Sequence, residues 1–232
     1  MIRHLLIAAL SATVLFQGAQ QPATGGATEW PDSYRARLEA LALVQTLNAE
    51  ILASRSATRS LESWCAARGL SDDPRVFADR ESGVEKVPSA EQLVRLQVRD
   101  ANELRYRRVR LRCGTRVLSE ADNWYVPARL TPEMNHTLDT TNESFGRVIS
   151  PLEPYRRTFE ARLLWAPLPE GWDRGAAVES SEETLTIPGA LFAHRALVYS
   201  ASHVPLAEVV ETYQRDILGA PPPVRLPRAP GF

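Results

Sequence analysis

The sequence predicts an α+β domain with an antiparallel sheet, and three observations lead there. Helical apolar stripes occupy the segment after residue 31, whereas two-residue alternation takes over from Tyr106 onward. The strand segments are punctuated by turns and brief helical insertions, an order typical of α+β proteins. At 232 residues with 44% apolar content, the chain can bury one full hydrophobic core.

The elements follow in order. Pro31-Asp32-Ser33 opens a long helix whose apolar stripe is read as Leu38, Leu41, Ala42, Val44, Gln45 and 47–52. Ser56 marks a break and a new N-cap, and the second helix runs through Leu61 and Trp64 to a stop at Gly69. Residues 74–87 read as irregular or as an edge strand. Ser89-Ala90-Glu91-Gln92 is a capping box that opens a short helix carrying Leu93 and Leu96. Two strands then span Tyr106 to Pro127 and turn at Cys113-Gly114-Thr115-Arg116. Thr131-Pro132 starts a short helix, with proline at an allowed first-turn position. Ser144-Phe145-Gly146 is a brief turn and Tyr155 to Trp165 a strand. A loop follows, and a final hairpin is formed by 190–200 and 204–217. The proline-rich segment 219–232 lacks apolar periodicity and reads as a tail, leaving 31–218 as a single domain.

Charge and composition exclude several classes. A net charge of -1 and a pI near 6.5 give no electrostatic footprint for nucleic acid. Two cysteines and four scattered histidines offer no metal-ligand spacing, and no cofactor motif is present. His194 and His203 have no serine or carboxylate at a telling spacing, so no hydrolase triad is read. Met1-Ile2-Arg3-His4, the apolar run Leu5 to Phe16 and the small polar residues beyond it have the layout of a secretory signal peptide over 1–20. The expected location is periplasmic or secreted, with no stable membrane span once that segment is removed. Cys65 and Cys113 then form either a disulfide or two buried thiols that behave as small apolar groups.

Candidate chemistry sits on two strands. In the first, Val109, Leu111 and Cys113 point one way and Arg108, Arg110 and Arg112 the other. The three guanidiniums form either a solvated face or a set from which one turns into a cavity to grip a carboxylate. On the last strand, Ala207, Val209, Glu211 and Tyr213 share a mainly apolar face. A carboxyl there either pairs with a cation or keeps its proton and donates a hydrogen bond, which makes Glu211 a pocket candidate. Glu120, Asp122, Trp124 and Tyr125 form a polar-aromatic cluster read as a hairpin's outer face or a ligand rim.

Three segments in this order resemble the chorismate lyase family: Ser56 to Glu62, Tyr106 to Pro127, and Glu143 to Arg147. The resemblance extends to Arg157-Thr158-Phe159 and to a final hairpin bearing Glu211, and it covers roughly 51–218. It implies a six-stranded antiparallel sheet with helices on one side, enclosing a pocket for a small aromatic or cyclic carboxylic acid. Carried over, Arg108 holds the ring carboxylate, Glu211 meets the ring hydroxyl, and Ala57 and Phe145 line the pocket. The implied reaction is loss of pyruvate from chorismate to give 4-hydroxybenzoate, without a cofactor. An exported member could instead hold an aromatic acid without turning it over, as effector-sensing domains of this fold do, or keep only a structural role. Ala57, Phe145 and Asn123 depart from the family's usual residues, and one extra residue between Pro205 and Glu211 demands a bulge.

Overall fold

The computed structural model describes residues 29–222. The expected signal peptide, and all of the expected tail beyond residue 222, lie outside them. Six strands form one antiparallel sheet in the order β1-β2-β3-β6-β5-β4. They are β1 (Val76–Arg80), β2 (Arg105–Cys113), β3 (Arg116–Tyr125), β4 (Tyr155–Leu163), β5 (Ala190–Tyr199) and β6 (Pro205–Gln214). The segment that reads as irregular or edge strand is the edge strand β1. Helices α1 (Tyr34–Ala53) and α2 (Ala57–Arg68) cover one face, with α4 (Pro132–Thr140) and α5 (Phe145–Val148) closing one end of it.

Local chemistry sets the helix ends. The Ser33 hydroxyl accepts from Ala36 N–H at 3.2 Å, and Ser56 accepts from Arg59 N–H at 3.4 Å. The capping box at Ser89 and Gln92 is present and opens α3 (Ala90–Leu96). Gly69 stops α2 in the left-handed region at φ 59°. The α1 stripe has a different phase from the sequence reading: Ala36, Ala40, Val44, Leu47 and Ile51 are buried, while Leu38 and Leu52 are exposed. Apolar residues lie all round this helix, so periodicity alone left its rotation open. The small side chains at 36 and 40 let its first turns approach the core closely.

The two long helices lie on the face expected to carry them. The short α3 lies on the other, where Leu96 and Val98 meet Trp124, Val126 and Leu197. Of the expected tail, Gly219 and Ala220 are held: Trp30 Nε1 donates to the Gly219 carbonyl at 3.0 Å, and Arg68 Nη2 to that of Ala220 at 3.1 Å. Their carbonyls thus satisfy donors at the edge of the core. A register shift at Val198/Tyr199 opposite Pro205 and Ala207 is the bulge that the extra residue requires.

Cys65 and Cys113 are joined in a disulfide, with Cα atoms 6.6 Å apart, tying α2 to the end of β2. Both residues are fully buried in the core. The bridge spans 48 positions of sequence, a constraint on the unfolded chain of about 4 kcal/mol. Replacing both cysteines by serine is expected to lower the melting temperature by roughly 8–16 °C, at roughly 2–4 °C per kcal/mol for a chain of this size. Calorimetry with and without dithiothreitol checks this, since reductant should destabilise the native protein and leave the double variant unchanged.

Candidate ligand site

The helix-covered face of the sheet carries an internal cavity. Strand alternation puts Arg107, Val109 and Leu111 of β2 on that face. Across the ladder Arg107 lies opposite Asn123, which lies opposite Val209. One row further on, Val109, Ala121, Glu211 and His194 form a second line across four strands. Val109, Ala121 and Val209 make an apolar floor, with Arg107 at one corner and Glu211 at the other. From strand spacing these corners are roughly 10 Å apart across the strands and roughly 7 Å along them.

The roof comes from Ala57 and Thr58 at the start of α2 and from Ser144, Phe145 and Gly146. A Cβ at Gly146 would stand 3.0 Å from Thr58 Oγ1, so a larger residue there would press the two segments apart by a few tenths of an ångström. The space left is about 70 Å³ for the centres of water-sized atoms. About 10–15 Å³ holds one water on that measure, so the hollow takes a group of several non-hydrogen atoms.

Three of the four residues expected to form the pocket, Ala57, Phe145 and Glu211, line this cavity. Arg108 does not. It lies on the opposite face, where its guanidinium meets Glu81 at 2.7 Å, Glu120 at 2.9 Å and Asp122 at 3.2 Å. Tyr106 and Lys86 also bind Asp122, completing a polar network there. Arg108 and Glu211 therefore do not confront each other, because a one-residue offset along a strand reverses the face. Arg110 and Arg112 are likewise paired, with Glu81 and Asp79.

Arg107, which none of the sequence expectations names, lines the cavity together with the exposed Arg55 and with Arg156. Its signal was legible: it shares the odd-numbered face of β2 with Val109, Leu111 and Cys113. Arg107 is 4% exposed, and its Nε and Nη2 have no hydrogen-bond partner among the described residues. Burial, reinforced by the nearby Arg80 charge, pushes its pKa down to about 10. Tyr125 and Asp139 only partly offset this.

Glu211 has the cation its apolar setting calls for. Arg156 Nη2 lies 2.8 Å from Glu211 Oε2, and Tyr213 donates its hydroxyl to the same oxygen at 3.0 Å. The Arg156 contact is close but off-line for a hydrogen bond, and Nε of that guanidinium is also unpartnered. Burial works against the Arg156 charge, yet Glu211 and Tyr213 outweigh it and hold the group protonated. Burial, then the Glu211 charge, pushes the Tyr213 hydroxyl well above the usual tyrosine range. Glu211 thus presents a carboxyl group, paired with Arg156, that accepts hydrogen bonds. Arg157, part of the Arg157-Thr158-Phe159 match in the family resemblance, alternates to the other face of β4 and is exposed. Nothing in the polar edge strand distinguished the two; only the isolated Glu211 on β6 called for an arginine nearby.

Further buried polar atoms surround the hollow without partners, among them Asn123 Oδ1 and Ser144 Oγ. Unpaired polar groups of this kind are uncommon in native interiors, and a water, an ion or a ligand can complete their bonding. His194 lies beneath the pair, with Nε2 2.7 Å from Asn48 Oδ1 and Nδ1 unpartnered. Burial and then Arg156 push its pKa down to about 4, so it is neutral in the folded state. His203 instead meets the Tyr155 hydroxyl at 2.6 Å on the surface. In the polar-aromatic cluster, Glu120, Asp122 and Trp124 belong to the outer face, while Tyr125 is buried on the cavity side.

No protein-family model matches the chain. It is 44% identical over 202 residues to the uncharacterized protein y4mC of Sinorhizobium fredii, an alignment covering 86% of this chain and 85% of that one. The chain belongs to the family of y4mC. Among solved structures, it is similar to the effector domain of PhnF from Mycobacterium smegmatis, at 15% identity and a TM-score of 0.43 over 69% of this chain and 89% of that one. A GntR-family transcriptional regulator from Enterococcus faecalis matches at 9% identity and a TM-score of 0.37, over 65% of this chain and 99% of that one.

Among the described residues no cluster of three or more His, Cys, Asp or Glu is placed to hold a metal ion, and no helix is long and apolar enough to cross a membrane. What the site offers is electrostatic: a guanidinium lacking a counter-ion, an apolar floor and an accepting carboxylate.

Two outcomes follow. Arg156→Met strands the Glu211 carboxylate in the core and is expected to cost about 3–5 kcal/mol, most of it recovered when Glu211→Leu is added, as urea titration would read. Unfolded His194 takes its proton near 6.5, whereas the folded group waits until about 4. The unfolded chain therefore gains protons first, and stability drops as pH falls from about 6.5 to about 4. A melting-temperature profile should show this loss, reduced in His194→Gln.

Proposed function

We propose that the chain binds a small cyclic carboxylic acid bearing a hydroxyl group, with the acid seated on the Val109, Ala121 and Val209 floor. The observation that carries this reading is Arg107, a buried guanidinium with no counter-ion at the cavity's corner. A buried charge of this kind is costly alone, and a carboxylate matches its planar fork. At the other corner, Glu211 accepts a hydrogen bond from the ligand's hydroxyl while Arg156 balances its charge. The flat apolar floor between them suits a ring. In this reading Arg107 takes the clamp role that the sequence resemblance implies for Arg108.

A second reading, pyruvate elimination from chorismate, draws on that resemblance and on the same two corners. Breaking the ether C–O bond and moving a ring proton to the departing enolpyruvyl carbon needs no cofactor. The protein would hold the ring carboxylate at Arg107 and stabilise the developing phenol at Glu211. Glu211, which faces Arg156 and accepts from Tyr213, would serve as an acceptor and not as the acid. For location we propose export: the N-terminal pattern supports it, and the Cys65–Cys113 bridge suits an oxidising compartment.

Titration calorimetry with 4-hydroxybenzoate tests the binding reading. Arg107→Met should weaken affinity roughly ten- to a hundredfold, about 1.5–3 kcal/mol for a hydrogen bond to a charged group. The same variant should melt no lower than the native protein, because it removes an unpaired buried charge. Arg108→Met should leave affinity within about twofold. If the full chain binds no hydroxylated ring acid, the reading fails. Incubation with chorismate separates the two versions: 4-hydroxybenzoate formed above the uncatalysed rate establishes the lyase, and its absence leaves the binding module.

A further inference from the structure

We infer that the acid held by Arg107 carries a second anionic group, bound outside the cavity by Arg80. This rests on the cavity reading above and deepens it, making the ligand a bis-anion. Six arginines lie on β1 and β2, and four of them have carboxylate partners: Arg105 with Asp139, Arg108 with Glu81, Glu120 and Asp122, Arg110 with Glu81, and Arg112 with Asp79. Arg80 and Arg107 have none among the described residues. They are also neighbours. Arg80 pairs with Val109 across the β1–β2 ladder, so Arg107 is its diagonal neighbour on the same face, roughly 7–8 Å away.

The two like charges repel: neither guanidinium is in an ion pair among the described residues, and the Arg80 charge outweighs the opposing Asp139 charge among the influences on the Arg107 pKa, which is lowered. Chains ordinarily relieve such a clash with a carboxylate. Here the relief is open space. Arg107 lines the internal cavity and also an outer cleft that Arg80, Arg105, Tyr106, Glu85 and Asp139 share. The carboxylate of Asp139 is engaged by Arg105, and its backbone carbonyl accepts from Arg80 Nη1 at 2.8 Å, which steadies the Arg80 side chain without neutralising it. Glu85 is exposed and makes no ion pair among the described residues. The three arginines against two carboxylates leave the cleft with one positive charge in excess.

Arg107 therefore stands as a shared post, with one carboxylate on its cavity side and a second oxyanion between it and Arg80. The chemistry fits a carboxylate or a phosphonate-like group on a short tether next to the first carboxylate.

The test is titration calorimetry on the full chain with matched probes: 4-hydroxybenzoate, 4-hydroxyphthalate, 4-hydroxyhomophthalate and 2-phosphono-4-hydroxybenzoate. At least one bis-anion should bind roughly tenfold or more tightly than 4-hydroxybenzoate. Arg80→Gln should erase that advantage while leaving 4-hydroxybenzoate affinity within about twofold, and Arg80→Lys should restore part of it. Which bis-anion gains most separates a carboxylate from a phosphorus oxyanion. The inference is overturned, with the cavity reading intact, if 4-hydroxybenzoate binds and no bis-anion binds more tightly. It is also overturned if Arg80→Gln keeps the advantage, or if free phosphate added beside 4-hydroxybenzoate supplies the same gain that tethering does not. If no probe binds at all, both readings fall together.

Discussion

Arg107 is held under α2 by the same two-residue repeat that buries Val109 and Leu111, and no side chain among the described residues neutralises it. A guanidinium in that position opposes folding by an amount comparable to a good part of a domain's net stability. The rest of the interior accommodates it. Small side chains at Ala57 and Ala121 leave room beside it, Asn123 and Ser144 offer unpaired oxygens, and the floor remains apolar. Burying an unpaired cation and a hollow together lowers stability in the absence of a ligand, and that loss is what an anionic partner would reverse.

The second buried charge has a different resolution. Glu211 also lies on an apolar row, but Arg156 reaches over β5 from β4 to meet it, and Tyr213 bonds to the same oxygen. The contrast between the two sites is informative. One charge is satisfied within the chain and rigidly placed; the other is left open on the same floor. A ligand meeting both would find an acceptor already oriented at one corner and an unspent donor at the other.

Much of the fold was legible because local signals agreed with one another. Ser33, Ser56 and Ser89 cap helices where the sequence places them, Gly69 stops α2, and the hairpin turns at Gly114, whose φ of 56° favours glycine. The face of β6 carrying Glu211 was readable from simple alternation. Less was legible at the site. Parity on β2 is plain from alternation, but the even-numbered, polar face carries the more conspicuous pattern, three arginines that each find a carboxylate. The single arginine on the apolar face was the informative one, since a charge among buried neighbours is rarer than a charged stripe. Arg156 could not be distinguished from Arg157 because an edge strand is polar on both sides. The rotation of α1 was hidden for the complementary reason, a helix apolar on more than one side.

The bridge from Cys65 to Cys113 fastens one end of the roof helix to the floor strand two turns beyond Ala57. Roof and floor thus form a clamshell riveted at its rear edge. Beside that rivet the two cannot part without breaking a covalent bond, whereas at the front lip Ser56 and Gly146 meet through non-covalent contact alone.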